Sequence, residues 1–482
     1  MARHWGVFHL VNSLAVTLAL LLCAPQPCAA QTGPPGAAAP SLSQNPFLGS
    51  VPTGQASSAP LALSLKEALN RALNYNLGVI EANEDTRAAH AVRLRNLSAL
   101  LPNLSARVTS TVEEINLKTF GFFVNIPGIR IPTIVGPFGA ADARFTFSQE
   151  VFNWSDIKSV KASSESEKAS QYSYKNDRDL VVVTAVDSYL LVIADAATVN
   201  STRAQVDTAR ALFEKTADQH KAGVVATIDE LRSRVELQTQ QQRLIAAENQ
   251  LAIDKLTLAR VIGLPNGQEF QLMDSAPYAP LAEMSLNEAL QQAYAARPDY
   301  LSAREQVSSA EFATQAAGAE NYPSLSVYAD FGDAGSPNFA SSHGVFTFQA
   351  SLNIPIFQGT RVRADKLQAN SALRQRQAEL EDLRGKIDDQ VRTAFLNLKS
   401  SSDLVAVAKS NTDLANETLK QAQDRFLSGV ADNLEVVQAQ ELVASSEQSY
   451  IASVYSYNLA KVSLAQAVGI AEQSALQYLG AY

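Results

Sequence analysis

The chain has 482 residues, of which 46% are apolar and 18% charged, and its formal net charge is −9. The length alone predicts about three domains, while the composition excludes a disordered chain and a helical protein with many membrane spans. Net negative charge, without any Lys/Arg-rich run, argues against binding to nucleic acid or to an anionic lipid surface.

The first 30 residues are typical of a secretory signal peptide, with a basic start, an apolar stretch at 11–22 and small residues before a cleavage site after Ala30. A lipoprotein is the alternative, but neither Cys23 nor Cys28 follows a small residue. Cleavage after Ala30 would remove both cysteines. We therefore expect no disulfide, no metal site and no cofactor in the mature chain.

Residues 31–62 are rich in Pro, Ala and Ser and lack both the helical and the strand period, which indicates a flexible lead-in. Beyond the signal peptide no run of 18 or more apolar residues occurs. The sequence therefore predicts that no helix spans a membrane and that any insertion uses strands.

An internal repeat divides the rest of the chain. Residues 63–105 align without gaps on residues 284–326 with 12 of 43 positions identical. We assign a first repeat at 63–265, a linker at 266–283, a second repeat at 284–470 and a tail at 471–482. Each repeat opens with Ser-Leu-Xaa-Glu, a capping box that predicts a helix start.

Both repeats then change period in the same order. After Pro102 and after Pro323, apolar and polar residues alternate through two segments of about the length that a tilted strand needs to cross a bilayer. Long stretches of helical period follow, and each turns at a glycine, Gly223 or Gly429, before a second helix returns. This pattern predicts a mainly α fold with a small β part, built as tandem helix–strand–strand–helix repeats with long coiled-coil hairpins.

Four membrane strands cannot close a barrel, because the smallest transmembrane barrels need about eight strands and open edges leave backbone groups unpaired in hydrocarbon. The strands must therefore be shared between chains. Three chains would supply a twelve-stranded β-barrel and a trimeric α-barrel of twelve helices.

The doubled plan resembles the TolC-like outer-membrane factors, the outer membrane efflux protein family. The resemblance covers about residues 63–470 and includes the segment 352–359 (LNIPIFQG) before a long helix and the turn 222–231 (AGVVATIDEL). It implies a homotrimeric, passive channel in the outer membrane of a diderm bacterium, embedded in outer-membrane lipid, with its helical tunnel in the periplasm. Its expected partners are a periplasmic adaptor and an inner-membrane pump of an efflux or type I secretion system.

Carried onto this chain, the resemblance places the adaptor-docking tips at the two glycine turns, Gly223 with Val224 and Gly429 with Val430. It also implies that acidic residues close to these turns line the periplasmic aperture; the candidates are Asp229 and Glu435. The competing interpretation is that each is a solvated carboxylate in the first turn of a helix, where the helix dipole stabilises it.

Members of the resembled family lock the aperture with a tyrosine and an arginine beside the second glycine, where this chain has Phe426 and Ala431. Arg425 and Asp432 are the candidates to replace part of that lock. No catalytic motif is present, so we expect no enzymatic activity. A periplasmic coiled-coil adaptor or scaffold remains the alternative function, although it gives no reason for strands of membrane length.

Overall fold

The computed structural model describes residues 45–121, 132–274, 278–281, 284–337, 339, 341–430 and 433–480. The predicted signal peptide, the first 14 residues of the predicted lead-in, five of the 18 residues of the predicted linker, Ala431, Asp432 and the last two residues of the predicted tail therefore lie outside the described residues. Within them, residues from Pro46 onward form one compact unit.

The first half of the chain contains one short strand, two helices, two long strands and a helical hairpin. In chain order these elements are β1 (Leu61–Leu63), α1 (Leu65–Tyr75), α2 (Leu77–Ser98), β2 (Asn103–Asn116), β3 (Ile134–Phe152), α3 (Trp154–Lys221) and α4 (Thr227–Val261). At about 1.5 Å per residue, the 68-residue helix α3 is roughly 100 Å long.

The second half repeats that order. It contains β4 (Phe270–Leu272), α5 (Leu286–Ala296), α6 (Pro298–Ala319), β5 (Ser324–Gly335), β6 (His343–Asn353), α7 (Arg361–Leu427), α8 (Asn433–Val468) and α9 (Ala471–Leu479). The predicted fold of helices, strands and long hairpins is thereby confirmed. Gly385 lies inside α7 without interrupting it.

Each capping-box helix is followed at once by a second helix, a division that the sequence analysis did not anticipate. In the first half the break lies at Asn76, whose buried side chain accepts from the Gly78 amide at 2.9 Å and donates to the carbonyls of Phe47 and Val261. In the second half it lies at Pro298, the first residue of α6, since proline has no amide to continue the helix before it.

The four long strands form one antiparallel sheet in the order β2-β3-β5-β6. Its outer strands β2 and β6 each pair on one side only within the described chain. The two short strands β1 and β4 make a separate parallel pair beside the helices, and they bring part of the expected lead-in against α4.

The main hydrophobic core lies where α1, α3, α4 and α9 meet the β1–β4 pair. Its largest buried side chains include Tyr189, Leu258 and Ile262. One stretch of α3 is apolar and long enough to cross a membrane by composition alone, contrary to the sequence prediction, but nearly half of it is buried in the fold. We therefore interpret this stretch as part of a core helix, because a buried helix can have the same length and apolar composition as a membrane-spanning one.

Candidate functional site: the sheet and the two helix turns

One face of the four-stranded sheet is apolar and exposed. Cross-strand pairing places Ala106, Phe145, Phe331 and Phe346 in one row, and the three phenylalanines are 62%, 69% and 79% exposed. A parallel row contains Leu104, Phe147, Ala329 and Phe348. Large apolar side chains that point into water across all four strands are unfavourable unless another apolar medium covers them.

The opposite face of the same strands is polar. The row between the two apolar rows has its side chains on this opposite face and consists of Ser105, Thr146, Asp330 and Thr347. Arg144 forms ion pairs with Asp142 at 2.7 Å and with Asp330 at 3.2 Å, and Asp330 is almost fully buried. The sheet can therefore separate an apolar environment from an aqueous one.

Both long hairpins turn through the same backbone motif. At the first turn Gly223 has φ of +72°, and the Val224 amide donates to the Gln219 carbonyl at 2.9 Å. At the second turn Gly429 has φ of +70°, and the Val430 amide donates to the Arg425 carbonyl at 3.0 Å. These six-residue closures with a left-handed glycine are Schellman motifs, so each glycine is required by its backbone angle.

The two valines predicted to dock a partner are largely exposed at these turns. Val224 is 70% exposed and Val430 71% exposed. A Cβ atom built on Gly223 or Gly429 meets nothing within 4 Å. The chain itself therefore leaves both turns open, and each presents an apolar side chain to the surroundings.

A contact between a basic and an acidic side chain spans each turn, and the two contacts differ chemically. At the first turn, His220 at the end of α3 contacts Glu230 in the first turn of α4, with Nδ1 and Oε2 2.5 Å apart. At the second, the Arg425 guanidinium at the end of α7 lies 3.1 Å from Glu435 in the first turn of α8. Neither contact could be predicted from the sequence, because the two side chains of each face each other only once the turn is formed.

Two further predicted aperture residues, Asp229 and Phe426, lie close to these contacts. Asp229 is mostly buried and lies 3.7 Å from Arg232 on its own helix, while its carbonyl accepts a hydrogen bond from the Asn433 side chain of α8. Phe426 packs in a cluster that links the hairpins, with Leu212, Ala422, Val436 and Ala439. Arg425 therefore pairs with another predicted aperture residue, and Asp229 lies at the junction of the two turns.

A carboxyl pair connects the two helices of the first hairpin farther from the turn. Burial, together with the hydrogen-bonded Asp254 carboxyl of α4, raises the pKa of Asp195 of α3 to about 7. Asp195 therefore keeps its proton to a higher pH than an exposed carboxyl, because burial and a neighbouring carboxylate both disfavour its ionised form.

The chain matches a protein-family model and several known proteins. The model described as outer membrane efflux protein matches residues 69–264 and 289–470. The alkaline protease secretion protein AprF of Pseudomonas aeruginosa is 22% identical over 64% of this chain and 65% of its own length. The toluene efflux pump outer membrane protein TtgC of Pseudomonas putida is 24% identical over 62% and 63%. The pyoverdine export outer membrane protein OpmQ of Pseudomonas aeruginosa is 25% identical over 87% of each chain. The chain thus spans slightly less than two thirds of the first two relatives.

Solved structures share the fold. A membrane protein from Pseudomonas aeruginosa superposes with a TM-score of 0.73 at 18% identity, covering 87% of this chain and 97% of that one. The CmeC outer membrane channel of Campylobacter jejuni gives a TM-score of 0.73 at 16% identity, covering 89% and 92%.

Proposed function

The chain belongs to the outer membrane efflux protein family, and on this basis we propose that it forms a trimeric, passive exit channel of a tripartite efflux or type I secretion system. The family assignment made from the sequence is confirmed, and with it the outer-membrane location. The alternative of a periplasmic adaptor or scaffold has no support from the comparisons.

The observation that carries the proposal is the two-faced sheet with two unpaired edges. Its apolar rows suit lipid and its polar rows suit an aqueous lumen, but strands β2 and β6 leave their outer backbone groups without ladder partners in a single chain. In a bilayer these groups need partners. Pairing of β2 of one chain with β6 of the next supplies them, and three chains then close twelve strands.

The long helices support the same assembly. Helix α4 exposes an apolar stripe that includes Leu231, Val235, Ile245 and Leu256, and α7 exposes Leu396, Leu404, Val407 and Leu414. Stripes of this spacing pack against a neighbouring helix. We propose that α4 of one chain meets α7 of the next, which would close the helices into a tunnel.

The channel has no enzymatic role in this proposal, and the energy comes from the partner pump. The exposed turns around Gly223 and Gly429 are the proposed contacts for a periplasmic adaptor, and Asp229, Glu435, Phe426 and Arg425 the proposed aperture residues. Docking of the adaptor moves the turns apart and opens the periplasmic aperture, while the partner pump determines which substrate is exported.

The test is the mass of the outer-membrane-purified protein by light scattering with detergent subtraction, followed by conductance in a planar bilayer. We expect a trimer with small, cation-selective conductance. A stable monomer, or a protein soluble without detergent, would contradict the shared barrel.

A further inference from the structure

A cavity with both polar and apolar walls lies between the two helical hairpins, separate from the turns and from the proposed aperture residues. Its volume is about 140 Å³, and all four long helices line it. Gln240 lies 13 residues into α4, so the cavity is roughly 20 Å from the start of that helix. Helices α4 and α8 contribute the side chains that define its chemistry: Glu236, Gln240, Gln440 and Glu447.

Two nearly inaccessible glutamines point unpaired atoms into this cavity. Gln240 is 1% exposed; its amide nitrogen donates to Glu236 at 2.7 Å, but its carbonyl oxygen has no hydrogen-bond partner. Gln440 is 7% exposed and neither of its amide atoms has a partner. Buried polar atoms are normally satisfied, so these amides indicate a polar occupant.

Two carboxylates make the cavity negative. Glu447 accepts hydrogen bonds from the Gln205 amide at 3.2 Å and from the Ser201 hydroxyl, which fixes its position between α8 and α3. The nearby Arg243 guanidinium forms a bidentate pair with Glu441 instead, at 2.7 and 3.0 Å. The cavity therefore combines two anionic oxygens with neutral amide oxygens and lacks a cationic side chain in its lining.

Contrary to the expectation from the sequence, which considered thiol ligands, we propose that this cavity binds a hard divalent cation of the calcium type through oxygen ligands and that the ion ties the two hairpins of one chain together. Carboxylate and amide oxygens are the ligands that Ca²⁺ prefers, and its flexible coordination tolerates ligands from four helices together with a few waters. Mg²⁺ fits less well, because it demands near-octahedral geometry and dehydrates reluctantly. Thr208 of α3 and Asn416 of α7 are further oxygen-bearing residues of the lining, whose apolar part consists of Ala204, Leu419 and Val443.

The consequence for the channel rests on the proposed function. Glu236 and Gln240 belong to the first hairpin, whereas Gln440 and Glu447 belong to the second. An ion held by both sides opposes their separation. Bound Ca²⁺ therefore stabilises the closed arrangement, and its removal makes opening easier.

The experiment uses the full-length protein, purified in detergent, stripped with EDTA and desalted. Calorimetric titration with CaCl₂ is expected to give one saturable site per chain and a rise in Tm. The double variant Glu236→Gln/Glu447→Gln is expected to weaken binding at least tenfold. The matched control Glu214→Gln, which removes an exposed carboxylate from α3, is expected to bind as the unmodified chain does.

Equal Ca²⁺ affinity in the double variant and the control would overturn the site, as would the absence of saturable binding at millimolar CaCl₂. Gln440→Leu keeps both carboxylates, so it tests the site even if the double variant folds poorly; unchanged binding there would also overturn it. Mass and conductance of the same sample without Ca²⁺ test the trimeric channel separately, so failure of one proposal is distinguishable from failure of the other.

Discussion

The strongest prediction concerns the apolar face of the sheet, tested by Phe348→Arg. Phe348 is the middle residue of β6, is 70% exposed and lies opposite Ala329 in the row that continues to Phe147 and Leu104. Arginine on the lipid face near the bilayer midplane costs about 2–4 kcal/mol per chain. Three chains would therefore lose about 6–12 kcal/mol together, comparable with the whole stability of a typical protein.

The control is Thr347→Arg, one residue away on the polar face, where Asp330 lies opposite. The assay is the amount of heat-modifiable trimer in the outer-membrane fraction, by SDS gel without boiling. We expect near-complete loss of trimer for Phe348→Arg and little change for Thr347→Arg. Equal trimer from both variants would refute the assignment of the two faces.

Three further predictions concern the helices and their turns. The Cβ atom of Gly223→Trp would meet no atom of the described residues within 4 Å, but the residue must adopt a positive φ, so we expect about 1–2 kcal/mol of local destabilisation, trimers that still form, and loss of export in a drug-susceptibility assay. Export that survives at normal protein levels contradicts docking there. Glu435→Gln removes a solvent-exposed ion pair with Arg425, so we expect less than about 1 kcal/mol of stability change but higher single-channel conductance; unchanged conductance contradicts an aperture role. The pKa of Asp195 is raised to about 7 in the fold from about 3.9 in the unfolded chain, so the unfolded chain binds fewer protons between these values and stability falls as pH rises from about 4 to 7. Asp195→Asn is expected to flatten that decline in Tm between pH 5 and pH 8, and an unchanged slope contradicts the raised pKa of Asp195.

Much of the fold could be predicted because its signals are periodic and occur twice. Alternation after Pro102 and Pro323 identifies strands, and the long proline-free stretches of helical period identify α3 and α7. Strands β1 and β4 escaped notice because three residues are too few to establish a period. The break at Asn76 was also missed, because its hydrogen bonds reach Phe47 and Val261, which are distant in sequence.

The polar contacts could not be predicted for a related reason. Gln240 and Gln440 resemble solvated residues of coiled-coil surfaces, and only the mutual register of four helices shows that both are buried. The contacts between basic and acidic side chains across the turns likewise depend on which side of each return helix faces the outgoing one. Sequence period fixes the apolar stripe of a helix but leaves its partner and axial offset undetermined.

The two turns share one backbone motif, but different side-chain contacts stabilise them. This difference predicts which of the two turns opens more often. In the aligned repeats His220 occupies the position of Phe426. His220 makes polar contacts with Glu230 and with Thr227, whereas the Phe426 ring packs in an apolar cluster and lies 5.9 Å from the Lys215 ammonium.

Glycine alone suffices to form each turn, so the flanking contacts determine how often it opens. Local opening is easiest where few apolar contacts must be broken. Hydrogen exchange followed by mass spectrometry should therefore show faster exchange in peptides around Gly223 than around Gly429. His220→Phe should slow exchange at the first turn if the added ring reaches the apolar cluster of the neighbouring hairpin. Slower exchange at the first turn of the unmodified protein would mean that the contacts between basic and acidic side chains, and not the apolar packing, control the opening of these turns.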